Sequence, residues 1–179
     1  MNHFVKFFLV FIFFTLNVTS QAEINDSSHS GFTVVNKVEI DESIEVVYLT
    51  MCEKISLWWD NAHTFSGKSS NLTFEARANG CFCEKLINGG SACHLTVVYI
   101  EPGKLIRLVG GLGPLQQFAV NGVMSWEFKE TPNGTIVEWT YTVGGYVPQG
   151  LQSLAVEVDH VLNLQLKRFK NYVKNGKPE

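Results

Sequence analysis

Glu84 and His94 are the two ionisable side chains that a hairpin can bring together. Residues 80–86 and 92–100 flank the turn Asn88-Gly89-Gly90, and symmetric pairing about that turn sets Glu84 opposite His94. Both share index parity with Phe82 and Leu86, which puts the carboxylate and the imidazole on the more apolar face of their strands. A carboxylate in apolar surroundings needs a donor, and an imidazole supplies one. Such a pair fixes strand register, orients a ligand, or moves a proton on a bound carbonyl compound. His63, just after the tryptophan pair, would complete a three-ligand zinc or iron site with Glu84 and His94. Neither a His-x-x-x-His nor a Cys-x-x-Cys spacing supports that site, so no metal and no cofactor is expected.

The four cysteines are Cys52, Cys81, Cys83 and Cys93. A nucleophilic role needs a lowered thiol pKa, and an oxidising compartment favours disulfides instead. Cys81 and Cys83 lie two apart on a predicted strand, where side chains point the same way but rarely join. The expected bridge is therefore Cys93 with Cys81 or Cys83. The glycines of 110–113 do not form a phosphate loop, because no Lys-Ser/Thr follows and no helix N-terminus is expected there.

The elements that must position these groups follow from hydrophobic period. Phe32, Val34, Val38 and Ile40 alternate with polar residues as a half-buried strand, and Ile44, Val47, Tyr48 and Met51 then fall at helical spacing behind a capping Asp41. Residues 53–63 make a second short helical turn carrying Trp58-Trp59. From 70 to 143 the period is two, broken by turns at Asn79-Gly80, Asn88-Gly89-Gly90, Glu101-Pro102-Gly103 and Pro132-Asn133-Gly134, which reads as hairpins in series. Phe118, Val120, Met124, Trp126 and Phe128 share a face, and Val137, Trp139, Tyr141 and Val143 continue it, so two strands present an aromatic wall. Gly110-Gly111-Leu112-Gly113-Pro114 is a loop or bulge at a sheet corner. Leu151, Leu154, Ala155, Val158, Leu162, Leu166, Phe169 and Val173 mark a long amphipathic helix, with Lys167, Arg168, Lys170 and Lys174 near its negative pole.

The N-terminus reads as a secretory signal over residues 1–22: Lys6, an apolar run from Phe7 to Leu16, and small residues at Ser20-Gln21-Ala22. That run is about ten residues where a membrane-spanning helix needs ~20, so no stable span is expected after cleavage, and export to the periplasm or beyond follows. Removing 22 residues from 179 leaves 157, the size of one domain. With 13 basic and 17 acidic residues remaining and no cluster of either sign, nucleic acid is not an expected partner. Residues 23–30 read as a flexible lead-in and 31–175 as the domain, a monomer or weak dimer. The glycan acceptor patterns at Asn71 and Asn133 read as chance.

Strand, short helices, serial hairpins and one long helix form an α+β order. A sheet of about seven strands curls, and where it curls around one helix the outer strands leave a gap in which an apolar ligand can sit. Trp58 to Thr64, Gly80 to Glu84, Gly110 to Gln116 and the Leu151 to Val173 helix together resemble the START-like, or SRPBCC, superfamily, which includes polyketide cyclase/dehydrase and lipid-transport proteins. The resemblance implies a helix-grip fold with an internal cavity for an apolar or amphipathic ligand, and no shared catalytic set. Trp58, Trp59, His63, Phe82, Glu84, His94, Trp126, Trp139, Tyr141 and Leu151 are the candidate ligand-binding residues. The expected partner is a small hydrophobic molecule or lipid that is bound or transported. The alternatives are a cyclase, dehydratase or isomerase using Glu84 and His94, and a protein-interaction accessory module.

Overall fold

The computed structural model describes residues 21–179, so residues 1–20 of the signal expected over 1–22 lie outside the described residues. The remaining chain folds as an antiparallel sheet of eight strands with a long C-terminal helix. The strands are β1 (Gln21–Ser28), β2 (Gly31–Ile40), β3 (Leu72–Phe74), β4 (Cys81–Lys85), β5 (Ser91–Glu101), β6 (Leu105–Val109), β7 (Ala119–Thr131) and β8 (Gly134–Tyr146). They lie in the order β1-β2-β8-β7-β6-β5-β4-β3. The helices are α1 (Ile44–Glu53), α2 (Ile55–Trp58) and α3 (Gln152–Asn175).

The two edges account for the difference from seven strands. Residues 21–28, expected as the end of a signal and a flexible lead-in, are strand β1 on β2, although their small polar residues carry no alternating pattern. At the other edge β3 is three residues long, too short to show a period. In between, β2, β7 and β8 alternate buried and exposed positions as their sequences require. Trp126 and Trp139 are direct partners across β7 and β8, with rings stacked 5.0 Å apart.

Helix α1 is capped by Ser43, whose hydroxyl accepts from the Val46 amide, and not by Asp41 two residues earlier. Helix α3 ends at Gly176, whose left-handed backbone suits glycine. Its buried stripe of Ala155, Leu162, Leu166 and Phe169 packs against the sheet at the β1 and β2 side. Asn36 fixes that docking, because its side-chain amide donates to Asp159 on the helix at 2.6 Å. Trp58, Trp59, Phe82, Trp126, Trp139 and Phe169 form one chain of ring contacts through the core. Among the described residues, no helix is long and apolar enough to cross a membrane.

Candidate functional site

Because α3 rests on the β1 and β2 side of the sheet, the space beneath β4 and β5 is left open. A cavity of about 400 Å³ occupies it. Its walls come from the corner after α2 (Trp59 and residues 62–65), from Phe82 and His94, from the loop 112–118, and from Leu154, Val158, Val161 and Leu162 on α3. The lining is mostly aliphatic and aromatic, and the volume lies toward the lower end of the ~300–1,000 Å³ usual for small-molecule sites.

The corner that forms one wall is tied down by groups with no periodic signature. Gln165 on α3 is fully buried, accepts from the Asp60 amide at 2.8 Å, and donates toward Nδ1 of His63 at 3.2 Å. The indole N–H of Trp59 donates to the His63 carbonyl at 3.0 Å, and Asp60 accepts from the Ala62 amide. Together these turn Trp59 onto the cavity wall while Trp58 stays in the core.

Glu84 and His94 meet, though not by the expected pairing. Glu84 faces Ala92, and the register of β4 and β5 slips where Phe82 faces Leu95 but Cys83 faces Cys93. His94 is the extra residue, so it and Leu95 are both buried, as the two residues on the bulged side of a β-bulge can be. The Nε2 of His94 then lies 2.9 Å from a Glu84 oxygen. The carboxylate also accepts from the Phe65 amide at 3.0 Å and the Ser66 amide at 2.5 Å. Burial pushes the Glu84 carboxyl up, but the donors of Ser66, Phe65 and His94 overcome it and hold the group below its ordinary value. An ionised, acceptor-only Glu84 obliges Nε2 to donate. The Nδ1 of His94 is buried with no hydrogen-bond partner.

The Gly110 to Pro114 segment is the loop expected, running from β6 into a short 3-10 turn over Gly113–Gln117. Tyr141 holds it: the phenol accepts from the Leu112 amide at 2.9 Å and donates to the Gly110 carbonyl at 2.8 Å. Burial raises the Tyr141 hydroxyl to about 12. The ring can lie there because residue 122 is glycine; a Cβ at that position would collide with the Tyr141 ring.

Of the residues singled out from sequence, Trp59, His63, Phe82 and His94 line the cavity. Glu84 stands behind His94, and Tyr141 supports the loop. Trp58, Trp126, Trp139 and Leu151 belong to the core, because their rings and side chains pack between sheet and helices. Phe65, Leu112, Leu115, Phe118 and the α3 positions 154–162 complete the lining without having been singled out as site residues. The ligand atoms of His63, Glu84 and His94 do not converge on a metal position. Among the described residues the sulfurs of Cys81, Cys83 and Cys93 are the group that lies within 4.8 Å.

The disulfide joins Cys81 to Cys83, and Cys93 is free and exposed while Cys52 is free and buried. This replaces the expected bridge to Cys93. The register slip beside Cys83 disrupts regular strand pairing there, and the two Cα atoms are 5.4 Å apart, within bridging range.

No protein-family model matches the chain, and no curated protein matches it by sequence. Solved structures do. A conserved protein of unknown function from Enterococcus faecalis matches with a TM-score of 0.59 at 12% identity, over 88% of this chain and 78% of the other. CalU16 from Micromonospora echinospora gives 0.55 at 10% identity, over 88% of each chain. The AHSA1-like protein from Aeromonas hydrophila gives 0.54 at 17% identity, over 82% of this chain and 95% of the other. These likenesses show a shared helix-grip fold.

Proposed function

We propose that the protein binds a small hydrophobic or amphipathic molecule in the cavity between α3 and the β4 and β5 end of the sheet, as a carrier or receptor. The single observation that carries this reading is the space of about 400 Å³ itself, lined by Trp59, Phe65, Phe82, Leu112, Leu154 and Val158 beside a core packed with aliphatic and aromatic side chains. Apolar walls of that extent facing water carry a hydrophobic cost that an apolar ligand offsets. Support also comes from the asymmetric seat of α3, which leaves this one end of the sheet uncovered. The fold shared with CalU16 and the AHSA1-like protein is compatible with the reading, and fold alone does not assign a ligand.

The test is native mass spectrometry of the full chain from its own host, followed by calorimetry with apolar probes. A copurifying small molecule is expected, together with loss of probe binding in Val158→Trp, whose indole would enter the cavity. Protein that carries nothing and binds no apolar probe defeats the reading.

A further inference from the structure

Among the described residues that line the cavity, His94 carries a buried polar atom with no hydrogen-bond partner. His94 is 5% exposed, its Nε2 is held by Glu84, and its Nδ1 makes no hydrogen bond. The ring cannot turn to spend that atom elsewhere, since it sits between Phe65 and Phe82, with centroids 5.3 and 5.2 Å away. Glu84 cannot exchange roles with it either, because both carboxylate oxygens already accept backbone N–H groups. In its neutral form the imidazole therefore keeps its hydrogen on Nε2 and offers a bare lone pair at Nδ1. Of the other polar side chains in the lining, Thr64 donates to the Asn61 carbonyl, the Nδ1 of His63 accepts from Gln165, and Gln117 and Glu157 are exposed.

We propose that the cavity selects apolar molecules bearing a hydroxyl group, which donates its hydrogen to Nδ1 of His94, over equally apolar molecules that bring only acceptors. The inference rests on the cavity being a binding site and adds the class of molecule it takes. An acceptor-only ligand would leave two lone pairs facing each other against an apolar lining, and a purely apolar ligand would leave Nδ1 unsatisfied. Either costs a buried hydrogen bond.

Naphthalene, 2-naphthol and 2-methoxynaphthalene share one apolar body and differ at one substituent: hydrogen, a hydroxyl that donates, or a methoxy group that only accepts. Calorimetry on the full chain at neutral pH should give 2-naphthol about tenfold tighter binding than 2-methoxynaphthalene. In His94→Leu the gap should close while naphthalene still binds, which also shows that the variant has kept its cavity. Nitrogen-15 spectra of the unmutated protein supply a readout independent of that variant: His94 Nδ1 should resonate as an unprotonated nitrogen and shift on adding 2-naphthol but not its methyl ether. Equal affinity for the two substituted probes, or a proton found on Nδ1, overturns the inference and leaves the cavity reading standing. Failure of all three probes to bind overturns both.

Discussion

Glu84 and His94 hydrogen-bond across a break in strand pairing, where His94 is the residue that the ladder leaves over. Their contact is thus a product of the bulge, and the carboxylate serves as the hub for three donors from two parts of the chain. Glu84→Ala would strand the Phe65 and Ser66 amides and His94 Nε2. We expect a loss of about 2–4 kcal/mol in urea unfolding, with Glu84→Gln costing less because its carbonyl still accepts.

Acid should expose the same hub. The folded protein holds the Glu84 carboxyl below its ordinary value, so on lowering the pH the unfolded chain takes up that proton first. This contribution is complete above the usual glutamate value of ~4.3 and fades as pH falls through the lower, folded value. Urea midpoints measured across that range should fall more steeply for the unmutated protein than for Glu84→Gln. Parallel curves would remove Glu84 from the acid response.

Tyr141 makes the opposite prediction at high pH. Its hydroxyl ionises near 10 in the unfolded chain and about 12 in the folded one, so stability present below 10 is lost as pH rises toward 12. The amount is on the order of 2–3 kcal/mol, and Tyr141→Phe should lack this part of the alkaline loss. At neutral pH the same variant should speed amide exchange in residues 110–114, since both ties to Gly110 and Leu112 go with the hydroxyl. Gly122→Ala should do so too, by displacing the ring, at roughly 1–3 kcal/mol.

Cysteine labelling checks the bridge. In native buffer iodoacetamide should modify exposed Cys93 and spare Cys52, whose thiol burial pushes up to about 12. Peptide mapping should return Cys81 joined to Cys83.

Much of this architecture was legible in the sequence because it depends on period. The alternation in β2, β7 and β8 and the stripe of α3 gave the sheet and its helix, and the glycines at 110–113 gave the loop. What stayed hidden depends on departures from period. Strand β1 is polar and held by pairing with β2, a long-range gain that local composition does not encode. Symmetric pairing of the hairpin put Glu84 opposite His94; the bulge moved the register to Ala92 and still delivered the histidine, so the contact was anticipated for an incomplete reason. The same bulge sets Cys93 directly opposite Cys83, yet the bond joins Cys83 to Cys81, and no strand-pairing rule selects between the two partners. Gln165 reaches from the middle of α3 to Asp60, and no spacing rule links those positions. Large aromatics were the least separable group: Trp59 lines the cavity and Trp58 does not, a difference made by one turn of backbone at Asp60.

The division between those two neighbours gives the protein a built-in optical reporter. All four tryptophans are accounted for, with Trp58, Trp126 and Trp139 sealed inside and Trp59 alone at the cavity wall. Arrival of a guest should perturb the emission of one indole, whereas global unfolding should red-shift all four. Occupancy and integrity can thus be followed separately in the same cuvette, without an attached dye, by comparing the unaltered chain with Trp59→Phe.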